Sequence, residues 1–254
     1  MLPTLVAQDI FVLFMIFLRI GSALMIMPAF GEPYVPPRFR LILAVAITVL
    51  ISPVLGVKFP ELPDSPWALF LLLGSEIVTG LFFGTIGIVL ISILHIAGTI
   101  ISFQASLSNG FVFDPAVSQQ GSLPSMLMTT LGVLLILVTD LHHMMLRALV
   151  ESYTMFAPGI LPSVGDMSES ISQLIGRAFM IGVQLTGPFI AVGMVFYLGV
   201  GLLARLMPQV QIFFIAMPLQ IMLGLAALAI VLPMTMLWYL DGFRDNFASA
   251  LGAG

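Results

Sequence analysis

Four residues of this chain fall on one stripe of a helical pattern and could carry a proton. Asp140, His143, Arg147 and Glu151 are spaced by three, four and four, the interval at which helical side chains share a face. Two chemistries fit. The stripe can be a structural polar ladder, with Asp140–Arg147 and Arg147–Glu151 neutralising one another, or it can be a proton relay. Alternation of sign along the stripe favours the ladder. His142 and His143 add nitrogen ligands for a metal or a haem. Adjacent residues point to different faces of a helix, however, and His95 is the only other histidine. No metal and no cofactor is expected.

Other chemistry is absent from the sequence. It contains no HExxH zinc motif, no GxSxG elbow, no P-loop and no GxGxxG fingerprint. Without cysteine it has no thiolate nucleophile, disulfide or Cys-zinc site. Ser and His are present, but no motif pairs them as nucleophile and base. The chain reads as having no catalytic site.

The segment Asn109–Pro124, NGFVFDPAVSQQGSLP, asks for a function instead. It lacks helical periodicity and is longer than most structureless connections, which at this length are functional or disordered. Phe111, Val112 and Phe113 are costly to leave in water, which argues against disorder. Asp114 can cap a turn through Pro115. Before it, Ser102, Gln104, Ser106 and Ser108 form a polar stripe. Apolar tips on a Gly/Ser/Gln base suit a yielding constriction that excludes water and ions; the plainer reading is a loop buried for packing.

What must position these residues is a membrane. Of 254 residues 60% are hydrophobic and 8% charged, against about 25% charged in a soluble domain, and the mean hydropathy is +1.17. No arrangement gives a water-facing polar shell, which excludes a soluble enzyme, a secreted module and a disordered tail. A net charge of −4 offers no basic footprint for nucleic acid. The fold class is all-α, an integral membrane helical protein with about six long hydrophobic helices, because the ten-residue alternation of membrane β-barrels is missing. The residues are expected to form a single membrane-embedded domain, 1–254.

The first apolar run, 10–30, follows no basic stretch and is too long for a signal-peptide core, so it reads as a span. A Gly/Pro loop (31–40) separates it from a second run at 41–57, and a KFPELPDSP turn cluster (58–66) ends that. A third run extends from Trp67 to Ser108, and a fourth helix is expected from Met126 to Met155. After turns at 157–166, Asp166 and Glu169 resemble a capping box opening a fifth helix to Met207. A sixth follows at 210–240.

Charges lie inside or at the margins of several runs: Arg19, Glu76, Asp140, Arg147, Glu151 and Arg177. A central Asp, Lys or Arg costs roughly 2.5–3.5 kcal/mol to insert, so these groups must face protein, water or each other. The expectation is that sister polypeptides shelter them. The basic residues give no clear topology, with Arg38, Arg40 and Arg205 on one side and Lys58 and Arg244 on the other. Gly80, Gly84 and Gly87 form a small-residue face for close helix approach. Pro188, Pro218 and Pro233 should kink or break their helices. Pro188 and Pro218 lie symmetrically about Pro208-Gln209, giving a bent hairpin suited to wrapping around neighbours.

In this order the motifs resemble a known family. Arg19 with Pro28, Phe30 and Gly31 comes first, then Pro37 with Arg40 and Glu76 with Gly80 and Gly84. The stretch Gln104–Pro115, Leu141-His142-His143 with Ser152, and Gly187-Pro188 follow. Gly199 to Gly224 completes the pattern with Arg205, Pro208, Gln209, Phe213, Pro218 and Gly224. Over nearly its whole length the chain is similar to the FliR family, the R subunits of the flagellar type III export gate, related to the T subunits of virulence injectisomes.

The resemblance implies a non-enzymatic subunit that packs with the P and Q subunits (FliP, FliQ) as helix hairpins around a central pore. It implies that the B and A subunits (FlhB, FlhA) join on the cytoplasmic side, and that unfolded flagellar proteins cross the bacterial inner membrane at the basal body. It implies a pore plug at about Ser106–Ser122, including Asn109, Gly110, Phe111, Val112, Phe113, Asp114 and Pro115. Gly80, Gly84, Gly187, Pro188, Arg205, Pro208, Gln209, Pro218 and Gly224 serve as kink and packing positions. Three other readings stand beside this one: an injectisome subunit, a self-contained transporter using Glu76 and Asp140 as ion sites, and a bis-His haem subunit.

Overall fold

A computed structural model of the chain describes residues 2–107, 122–207 and 212–250. All regular structure among these residues is helical: α1 (Leu2–Ile26), α2 (Pro37–Ile51), α3 (Pro66–Gln104), α4 (Leu123–Val138), α5 (Leu141–Met155), α6 (Val164–Leu185), α7 (Gly187–Leu206) and α8 (Ile212–Ala250). Among the described residues four segments are long and apolar enough to cross a membrane, 6–26, 66–104, 187–206 and 215–249. The bent pair α4–α5 makes a fifth if it is one span.

Among the described residues there are eight helices where six are expected, and two of the long expected segments are interrupted. The segment expected as one helix over 126–155 breaks at Asp140, which adopts a left-handed φ of +59°, and the chain bends there by 72°. The segment expected over 166–207 breaks at Thr186, which puts Pro188 in the first turn of α7. There its missing N–H removes no helical bond. Pro218 and Pro233, by contrast, sit inside a continuous α8 and do not break it.

Two starts also differ from expectation. Ser163, rather than Asp166, caps α6, its Oγ accepting from Asp166 N at 3.4 Å. Ser122 caps α4 by accepting from Ser125 N at 3.3 Å, so Leu123 and Pro124 are helical rather than part of the preceding loop.

The chain divides into two compact units. The first comprises Met1–Leu90, Ile136–Leu174 and Asn246–Gly254. Its buried interior includes Met15, Ile16, Ile20, Leu24, Phe83, Ile86 and Met145. In lipid, helices associate through close packing and hydrogen bonds rather than by escape from water, which explains the glycines. A Cβ on Gly80 would strike the Arg19 carbonyl and Ser22 Oγ, and one on Gly84 would strike Ile26 and the Ala23 carbonyl. Phe156 meets Phe82 and Phe83 edge-on at 6.2 Å.

The second unit comprises Ile91–Leu135 and Ile175–Asp245. Here Gly98 lies against the backbone of Ser125, Gly193 against Gln104 and Gly224 against Ala105. α7 and α8 cover little of their own apolar surface. Only 17% and 11% of their most apolar windows are buried within the chain, against 61% for α3.

Candidate functional site

The first unit is organised around a buried ion pair. Arg19 Nε donates to Glu76 Oε2 at 2.7 Å, and Nη2 donates to Oε1 at 3.1 Å. The paired fork is the strong geometry for a guanidinium on a carboxylate. Nη1 donates to Ser152 Oγ at 3.2 Å and to the Phe156 carbonyl at 3.1 Å. The guanidinium carbon lies 4.0 Å from the Tyr153 ring centroid. Gly159, at a φ of +77° that favours glycine, donates its N–H to Glu76 Oε1 at 2.8 Å. Arg19 and Glu76 are both fully buried.

This corrects the expectation that sister chains shelter these two charges: α1 and α3 neutralise them against each other, and α5 with its following turn completes the shell. It also removes the basis for Glu76 as a transporter's ion site, since both carboxylate oxygens are engaged. Sequence reasoning singled out Arg19 and Glu76 separately. Ser152, Tyr153 and Gly159 become partners only through tertiary packing, which a sequence does not display.

The α5 stripe is exposed along its length at Asp140, His143, Arg147 and Glu151. His143 Nδ1 lies 3.3 Å from Asp140 Oδ1. Among the described residues Arg147 makes no ion pair with Asp140 or Glu151 within 4.0 Å, so the expected ladder is not closed. The long, solvated side chains of an open face gain little from holding one geometry. His142 and His143 do not diverge as expected; their ring centroids are 4.1 Å apart.

The second unit holds the described residues that flank the segment 108–121. On the N-terminal side, Gln220 Nε2 donates to the Gln104 carbonyl at 2.7 Å and to Tyr197 Oη at 2.8 Å. Ser106 is buried and takes a positive φ of 55°. On the C-terminal side, Ser122 Oγ donates to the Gly98 carbonyl at 3.4 Å, and Ser125 Oγ lies 2.7 Å from His95 Nδ1. The end of α3 is thus fastened to α7 and α8 through Gln220, and the C-terminal flank is fastened to α3 through Gly98 and His95. A serine–histidine contact resembles a nucleophile and base, but Ser125 is buried and its hydroxyl sits in the first turn of α4, as a fastening.

Asn109, Gly110, Phe111, Val112, Phe113, Asp114 and Pro115 lie outside the described residues, as do Pro208 and Gln209. Arg205 is exposed in the last turn of α7, where a cation complements the helix dipole. Among the described residues Gly187 meets nothing within 4 Å, and Gly224 packs on Ala105. Pro218 is exposed on α8. Glu32 and Tyr34 lie in the turn after α1, which Arg40 fastens by donating to the Glu32 and Val35 carbonyls.

The sequence profile of the bacterial export proteins, family 1, matches residues 10–245. The flagellar biosynthetic protein FliR of Caulobacter vibrioides is 33% identical over 239 residues, 94% of this chain and 95% of that one. FliR of Bacillus subtilis is 29% identical over 217 residues, 84% of this chain and 83% of that one. The Yop proteins translocation protein T of Yersinia pestis is 23% identical over 163 residues, 63% of this chain and 62% of that one. The profile runs through α1, α3, α5 and the α7–α8 pair alike, and on that extent this chain, a helical protein with segments fit to span a membrane, belongs to the bacterial export proteins, family 1.

Proposed function

We propose that the chain is a non-enzymatic core subunit of the flagellar type III export gate, helping to form and plug the pore through which unfolded flagellar proteins cross the bacterial inner membrane. The observation that carries this reading is the end-to-end similarity to FliR of Caulobacter vibrioides, 94% of one chain against 95% of the other. Similarity to the Yersinia translocation protein covers 63%, which favours the flagellar over the injectisome system. The sparse internal burial of α7 and α8 supports it. Two strongly apolar helices lie joined across residues 208–211, with an open apolar groove of about 470 Å³ between them lined by residues such as Phe196, Leu203 and Leu219.

In this reading the P and Q subunits (FliP and FliQ) cover the hairpin, the B subunit (FlhB) wraps the gate and the A subunit (FlhA) forms the ring below it, at the flagellar basal body. Ser106 and Asn109–Pro115 belong to the plug, and the pinned flanks at Gln104 and Ser122 give it a fixed footing. Gly187, Pro188, Pro208, Gln209, Pro218 and Gly224 shape the hairpin. Deleting Gly110–Gln120 tests the plug. The expected result is a rise in membrane permeability to small solutes with the gate still assembled, and unchanged permeability removes the plug role.

A further inference from the structure

The bend between α4 and α5 brings three possible metal ligands together. Asp140 precedes the first turn of α5 but makes no side-chain capping bond to it. Its Oδ1 lies 3.3 Å from His143 Nδ1 instead. That is long for a charge-assisted N–H···O contact, which closes to about 2.7–2.9 Å. It matches the edge of a tetrahedron, about 3.3 Å, built on the metal–ligand bonds of about 2.0–2.1 Å that zinc makes to nitrogen and oxygen.

The His142 ring stands beside that of His143, and one ligand atom from each of the three residues falls within 4.8 Å of the others. His142 Nδ1 faces the Ile136 carbonyl at 3.4 Å. Metal-binding imidazoles use such a carbonyl to fix the ring while the other nitrogen ligates. Asp140 and His143 are exposed and His142 is half-buried, so the side chains can close the remaining distance around an ion.

We propose that Asp140, His142 and His143 form a binding site for a zinc-like divalent transition metal. Two imidazoles and one carboxylate select zinc, cobalt or nickel over magnesium or calcium, which take oxygen ligands. Three protein ligands leave a fourth position for water or for a side chain from a neighbouring subunit. The positive end of α5 opposes a cation here, and the Asp140 carboxylate offsets it.

Cobalt reports directly on coordination. The full chain, purified from membranes with whatever subunits accompany it and stripped with chelator, is titrated with Co²⁺ alone. The site should give the intense visible bands of four-coordinate cobalt, saturating at one ion per copy and bleached by Zn²⁺. Asp140→Asn, His142→Ala and His143→Ala should each weaken binding about tenfold or more. His95→Ala should leave it intact. A spectrum that stays that of the six-coordinate aquo ion, or bands that persist in His143→Ala, would overturn the proposal.

Discussion

Arg19 and Glu76, 57 residues apart, close on one another with Nε 2.7 Å from Oε2 and both side chains buried. The pair joins α1 to α3 at the level where Gly80 admits the Arg19 backbone. Its remaining donors and acceptors go to Ser152, Phe156 and Gly159, so no formal charge is left alone in an apolar bundle.

Removing one partner should therefore cost far more than removing both. Arg19→Met or Glu76→Leu alone strands a buried charge, an effect of about 3–5 kcal/mol. The double variant should regain a large part of that. Denaturant unfolding of the purified protein in detergent measures the cycle. Equal losses for the single and double variants would mean that the pair is not coupled.

The two kinds of glycine should respond in opposite ways. Gly80→Ala places a methyl against the Arg19 carbonyl, and backbone cannot yield as a flexible side chain can. Gly176 sits inside α6 with nothing within 4 Å, so Gly176→Ala should stabilise by roughly 0.5–1 kcal/mol. Thermal unfolding of both variants in the same detergent distinguishes them.

Much of this arrangement was legible in residue types, and the rest was not for physical reasons. Composition and periodicity revealed the apolar helices, and Gly80 and Gly84 announced a close crossing. The break at Asp140 carries no Pro or Gly, and a left-handed aspartate leaves little trace in a sequence. Pro233 failed as a breaker because the loss of one backbone bond does not end a 39-residue helix. The pairing of Arg19 with Glu76 depends on which helix faces which, a property of tertiary packing that spacing along one chain does not encode. The Gln104–Gln220 bond was hidden for the same reason.

That bond carries its own prediction. Gln220→Leu removes both the Gln104 and Tyr197 contacts while keeping an apolar side chain of similar size, and should loosen the end of α3. Membrane permeability to small solutes should rise, with the amount of assembled gate unchanged. Wild-type permeability would show that this footing does not govern the seal.

The turn after α1 should make stability depend on pH. Burial holds the Glu32 carboxyl above its ordinary value of 4.5, against the opposing influence of Arg40 and the Ala29 backbone. A raised carboxyl binds its proton more tightly folded than unfolded, so its contribution is present at acid pH and is lost as pH rises through the folded value. Glu32→Gln removes this ionisation. The variant should gain melting temperature over wild type at pH 7 and lose that advantage near pH 4, as thermal unfolding at the two values would register.

Glycines that meet nothing among the described residues test assembly separately from folding. Gly199 and Gly201 on α7 have open space beside them, where a neighbouring helix could approach closely. Gly199→Leu and Gly201→Leu should leave the chain in the membrane at normal levels and reduce recovery of its partners. Pull-down of the tagged variants measures both quantities.

The most direct measurement is the composition of what purifies with the tagged chain from flagellated cells. Its α7 and α8 leave most of their apolar surface uncovered, and the expected result is a fixed-stoichiometry complex with two other small hydrophobic proteins, the P and Q subunits, without which the chain is unstable. A stable solitary monomer that takes up a small solute after reconstitution into vesicles would contradict the account.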